Sequence, residues 1–276
     1  MSFFRRAALL LSLVISPVLQ AQGPADRPPA PVVLPPYPEY AALALAAPIV
    51  ADAKIRSTDR VKGAQAVGLG AGLARVYVTA DITTLIRGPA GLPARLSYLV
   101  DMPLDARGRA ASLNKARVLI FARALPGRPG MLQLVAPDGQ RPWTPGGDRR
   151  VRAILTEALD AAAPPAVTGV GSAFFVPGGL PGEGETQVFL QTADGRPVSL
   201  SILRDFAGRR RWSVALSEIV DAAAPPPPRE TLLWYRLACS LPATLPAASA
   251  VDDDPANAAR AREDYRFVID SLGPCR

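Results

Sequence analysis

The chain has 276 residues, 31 Lys and Arg against 24 Asp and Glu, a formal net charge of +7, two cysteines and no histidine. Without histidine there is no Ser-His-Asp or Cys-His nucleophile pair and no imidazole metal ligand, and two cysteines cannot form a four-cysteine zinc site. A hydrophobic share of 49% with 20% charged residues suits a folded globular chain rather than a disordered one.

The first 21 residues read as a secretory signal peptide. Arg5 and Arg6 form a positive start, Ala7 to Val18 is mostly apolar, and Ala21 is the small residue at the expected cut. The apolar stretch is too short for a permanent membrane anchor, and no later segment has the ~18 apolar residues a spanning helix needs. The mature protein is therefore expected in the periplasm or outside the cell, with no transmembrane anchor. Its route, general or twin-arginine, stays open. Cleavage would lower the net charge to +5, split as +8 over residues 46–160, −2 over 161–276 and −1 over 22–45.

Residues 22–45 form a leader. It is rich in proline as far as Pro38, which favours extended polyproline II, and a short Ala/Leu-rich helix over Glu39 to Ala47 is stopped by Pro48. Residues 46–163 follow as a first domain. Ile49 to Val61 reads as a strand, and Gly63 to Gly72 as a loop. Arg75 to Arg87 alternates, with Val76, Val78, Ala80 and Ile82 on one face and Arg75, Tyr77, Thr79 and Asp81 on the other. The pattern returns at Ala94 to Met102 and Ala116 to Arg123, and Met131 to Ala136 is a fifth strand. Asp148 then caps a helix to Asp160. Five short strands and a closing helix predict an OB-like β-barrel.

The segments ADAKIRSTDRV, ARVYVTADITTLIRG, ARLSYLV and KARVLIFARAL, in this order, resemble the netrin/tissue-inhibitor-type OB domain of exported bacterial proteins. The resemblance covers residues 46–160 and implies a barrel. Inhibitory members of that family chelate a protease's zinc through an N-terminal cysteine. The first cysteine here is Cys239, so the resemblance does not carry that mechanism.

Residues 164–276 predict a small antiparallel β-meander domain with C-terminal helices. Strands are expected at Val167 to Val176, Thr186 to Thr192, Arg196 to Arg204 and Trp212 to Val220. Asp194-Gly195 is a strong hairpin turn, and Arg209-Arg210-Arg211 falls at another turn. Arg229 to Cys239 is apolar without clear periodicity; Glu230 and the prolines before it lean it towards helix. Asp254 as N-cap and Pro255 at the first position start a last helix, stopped near Leu272 by Gly273-Pro274. In an exported chain, Cys239 and Cys275 predict a disulfide that stabilises by roughly 3–4 kcal/mol. The mainly β fold with a few helices is thus an OB-like barrel followed by a stapled meander.

Signals for chemistry are sparse. Gly68 to Gly72 lacks phosphate-loop spacing and precedes a strand. Asp252 to Asp254 lacks the alternation of a calcium loop. Ser112 and Lys115 have Ser-x-x-Lys spacing without its partner motifs. Glu183 and Glu185 lie two apart, so an extended chain would turn both to one side, where two carboxylates could share a proton. No metal and no cofactor are implied, and nucleic acid is excluded by compartment and by the lack of basic–aromatic interleaving. The chain reads as an exported non-catalytic binding or envelope-associated module. Its partner would be a periplasmic protein or an anionic envelope component, met by Arg75, Tyr77 and Arg87. The alternative is a cell-wall glycan hydrolase working through Glu183 and Glu185.

Overall fold

The structure, a computed structural model, describes residues 35–217 and 223–275. The signal peptide, residues 22–34 of the leader and the last residues of the strand expected to reach Val220 lie outside the described residues.

Five strands close the barrel: β1 (Ile49–Arg60), β2 (Leu73–Arg87), β3 (Arg95–Pro103), β4 (Arg117–Ala124) and β5 (Met131–Leu134). Their order is β1-β2-β3-β5-β4, and β4 returns to β1 along Ile49↔Ala122 to Lys54↔Arg117. All of these pairs are antiparallel except β3–β5. A short β6 (Gln140–Pro142) adds to β4. The barrel is filled by inward side chains of alternating strands, among them Ile55, Val76, Val78, Leu96, Tyr98, Val118 and Ile120.

The outer face of β1 and β4 is also buried. Val50, Leu119 and Phe121 pack with α1 (Tyr37–Ala46) and α2 (Pro145–Leu159). This explains why RVLIFARA shows five buried residues in succession where single alternation was expected. Helix α2 starts earlier than expected, and its cap is not Asp148. Thr144 accepts from the Gly147 N–H (3.0 Å) and Pro145 takes the first position, a pairing already suited to a helix start. Asp148 sits inside the first turn, bonded to Arg152.

The second sheet is a meander in the order β10-β9-β8-β7: β7 (Val167–Pro177), β8 (Gly184–Thr192), β9 (Val198–Arg204) and β10 (Arg210–Ala215). Arg210 and Arg211 open β10 and do not form the turn; the residues closing the hairpin are 205–209, where Asp205 accepts from the N–H groups of Ala207 and Arg209. Helix α3 (Leu232–Ala238) is capped by Thr231, which accepts from Trp234 N–H. Helix α4 (Pro255–Leu272) is capped by Asp254, lies over β7 and β8, and ends at Gly273 with φ +69°. Cys239 and Cys275 are joined, with Cα atoms 5.0 Å apart. The boundary expected after residue 163 lies in the connection from α2 to β7. One apolar core crosses it, joining Tyr40, Leu119 and Phe121 to Val188, Leu200, Trp234 and Tyr265. The described residues form one compact unit.

Candidate functional site

The alternation of β2 and β3 sends every second side chain to the barrel's outer face. Register pairs Arg75 with Asp101 and Tyr77 with Leu99. The Arg75 guanidinium grips Asp101 with two parallel bonds of 2.8 and 2.9 Å. That hydrogen bonding holds the Asp101 carboxyl below its ordinary range and raises Arg75. A third contact, from Arg75 to the Val67 carbonyl (3.3 Å), ties the glycine-rich loop to the same spot.

Beside this pair lies a cavity of about 570 Å³. Its walls are Tyr77 from β2, Leu99 and Asp101 from β3, and Met131, Leu134 and Val135 from β5 and the residue after it. Arg123 stands at its rim and donates to the Gln133 side-chain oxygen (3.1 Å). Leu99 is 46% exposed. The cavity has apolar walls, one arginine already neutralised by Asp101 and a second at the edge that, among the described residues, is bonded only to an uncharged amide. The ionisable side chains lining it are the Arg75–Asp101 pair, Tyr77, Tyr98 and Arg123.

Of the residues expected to bind, Arg75 and Tyr77 are brought together here. Arg87 is not: it reaches back to the Ala44 carbonyl (3.5 Å) and helps seat α1. The carboxylates expected to act as a pair have separate partners. Glu185 accepts from Ser201 Oγ (2.6 Å) and from Gln187 Nε2. Glu183 lies in the β7–β8 turn, where its carboxylate accepts from Leu180 N–H (3.3 Å). It faces a cavity lined by Arg204, Asp205, Arg209, Arg210 and Arg211. The intervening Gly184 is required by packing, because a Cβ there would collide with the Phe175 ring. Burial acts to raise the Asp205 pKa, but the N–H groups of Arg209 and Ala207 and the Arg209 guanidinium outweigh it and hold it low. A general acid needs the opposite shift.

The remaining motifs are structural. Ser112 accepts from Asn114 N–H (3.5 Å), and Lys115 occupies a left-handed turn with φ +61°. Among the described residues no group of three metal-ligating side chains comes together. Two buried charges have no sequence signature. Asp52 takes a two-point grip from Arg117 (2.9 and 2.6 Å), which stacks on Trp143. Asp264, fully buried, accepts from Thr186 (2.7 Å) and Arg204 (2.6 Å), with Arg210 at 3.6 Å. Leu99, Arg123, Met131, Leu134 and Val135 were not singled out from the sequence. Only the outward position of Leu99 in its alternating strand could have suggested one of them.

The chain matches no family model, and no curated protein matches it significantly.

Proposed function

We propose that this is an exported, non-catalytic binding module that holds a protein partner of the envelope in the cavity between β3 and β5. The cavity carries the reading: it is of ligand-pocket size, apolar-walled and lined by Arg75 and Tyr77, the residues singled out by alternation. Export is supported by the N-terminal sequence pattern and by the Cys239–Cys275 bond, which an oxidising compartment preserves. No helix among the described residues is long and apolar enough to cross a membrane. The order β1-β2-β3-β5-β4 with a parallel β3–β5 pair supports the OB-like barrel.

The test is capture from periplasmic extract by the mature chain immobilised in its oxidised form, beside a Tyr77→Ala/Leu99→Asp variant. Peptidoglycan and anionic vesicles serve as parallel baits. The reading expects a protein retained by the wild type and lost with the variant, whose far-UV spectrum is unchanged. Retention of nothing, retention indifferent to the variant, or binding only to peptidoglycan or vesicles would overturn it.

A further inference from the structure

The backbone around the cavity is one strand short. β3 pairs with β2 along its whole length, from Leu73↔Pro103 to Asp81↔Arg95. On its other edge only Ser97 and Tyr98 find ladder partners, Met131 and Leu132. Ser97 donates its N–H to the Gly130 carbonyl on that side (2.8 Å). By the two-residue period of a strand, Leu99 and Asp101 turn their main-chain groups the same way; the Tyr98↔Leu132 pairing already occupies the Leu99 N–H with the Leu132 carbonyl, so the free groups are the Leu99 carbonyl and the Asp101 N–H and carbonyl. The next in that series is Pro103, which has no N–H to offer. Proline is tolerated where an edge is unpaired, so its presence accords with a ladder that stops here.

β5 does not follow β3 past this point. It continues along β4, with Ala122↔Leu134, and Val135 then donates to the Phe121 carbonyl (3.1 Å). The two backbones diverge, and the cavity fills the wedge between Leu99–Asp101 and the segment 133–137. From the Leu99 carbonyl to Pro103 the unpaired edge spans about 12 Å at ~3.3 Å per step, room for a strand of three or four residues.

We propose that an extended segment of the partner protein enters this wedge and adds a strand to the free edge of β3, with apolar side chains against Leu99, Met131 and Leu134 and a carboxylate against Arg123. The inference deepens the binding reading above and rests on it. The Leu99 carbonyl, Asp101 N–H and Asp101 carbonyl, an acceptor, donor and acceptor at strand spacing, match a peptide backbone, not a glycan or an acyl chain. Charge selects the acidic residue. Asp101 already neutralises Arg75, whereas Arg123 forms no ion pair among the described residues and donates only to Gln133. The wedge is walled on both sides, so it admits a single free strand and not the edge of a second folded copy.

The experiment screens a displayed random heptapeptide library on the mature, oxidised protein, then measures the enriched peptides by fluorescence anisotropy. Strand addition expects β-branched or aromatic residues at alternate positions and one Asp or Glu. Methylating alternate backbone nitrogens, those facing β3, should weaken binding at least tenfold, while methylating the intervening ones changes it less than twofold. Arg123→Gln should also weaken binding about tenfold without altering the far-UV spectrum. Amide exchange at Asp101 should slow when peptide is bound, while that at Leu99, whose N–H is already taken by the Leu132 carbonyl, changes little. Failure to enrich any peptide, enrichment of proline-rich ones, a flat response to N-methylation or protection confined elsewhere would each overturn the inference. Dimerisation abolished by Leu99→Asp would reassign the wedge to a second copy and overturn it too. If the captured partner still depends on Tyr77 and Leu99 while N-methylation has no pattern, binding at the cavity stands and strand addition falls.

Discussion

Replacing both cysteines, Cys239→Ser and Cys275→Ser, removes the covalent tie between the end of α3 and the residues after α4. The two are separated by 36 residues in sequence. In the chain-entropy account a loop of that length, left open in the unfolded state, lowers stability by about 3.8 kcal/mol at 25 °C. The folded state should keep its geometry, because the same ends are held in other ways. Trp234 Nε1 donates to the Leu272 carbonyl (3.0 Å), Arg229 donates to the Pro274 carbonyl (3.2 Å), and Trp212 Nε1 donates to Ser271 Oγ (2.9 Å). Helix α4 also buries Ala261, Tyr265, Val268 and Leu272. The loss therefore falls on the unfolded ensemble. It is a large part of the 5–15 kcal/mol typical of a domain and corresponds to a Tm lower by roughly 8–15 °C. Urea unfolding followed by fluorescence of Trp143, Trp212 and Trp234 measures it directly. The variant should unfold at lower urea with a steeper dependence, since its unfolded chain exposes more surface. A loss below about 1 kcal/mol, or a variant without a cooperative transition, would refute this reasoning, as would two free thiols in the unreduced wild type by mass.

Asp264→Asn should cost about 3–5 kcal/mol by the same assay, since the nearly buried Arg204 guanidinium would lose its closest counter-charge; a cost under ~1 kcal/mol would contradict that account. Burial raises the pKa of Tyr98, Tyr265 and Tyr37 well above the ordinary tyrosine value. The folded state thus holds protons that the unfolded state releases near pH 10, so stability is complete below about pH 10 and falls as pH rises beyond it. Absorbance at 295 nm should show those tyrosines ionising only together with loss of the circular dichroism signal; titration near pH 10 in the folded state would contradict this. Asp101 shows the reverse case. Its hydrogen bond to Arg75 depresses the folded pKa, so the pair's contribution is present above about pH 4 and lost as pH falls further; Asp101→Asn should make the acid limb shallower, and an unchanged limb would argue against the pairing.

What could be read from the sequence follows from whether a signal is local. β2 and β3 have one dry and one wet face, so their alternation marks both the barrel interior and the outward Arg75 and Tyr77. The cap and stop of α4 are likewise set by adjacent residues, Asp254-Pro255 and Gly273. β4 was harder because it is dry on both sides: Val118 and Ile120 face the barrel while Leu119 and Phe121 face the helices, and no period marks the second layer. The same limit applies to Asp52 and Asp264, whose arginine partners stand 65 and 60 residues away. The wedge was the least legible feature, because it depends on where β5 leaves β3, and these two strands meet only after the chain has passed through β4. Its single local trace is Pro103, a residue lacking the donor that a continued ladder would need. The missing histidine excludes the usual nucleophile pairs, and the structure adds that Glu183 and Glu185, once the best candidates for acid–base work, are committed to different partners. At the wedge, the free main-chain groups of β3 stand beside Arg123, which has no ion pair among the described residues, and that combination is matched by a polypeptide.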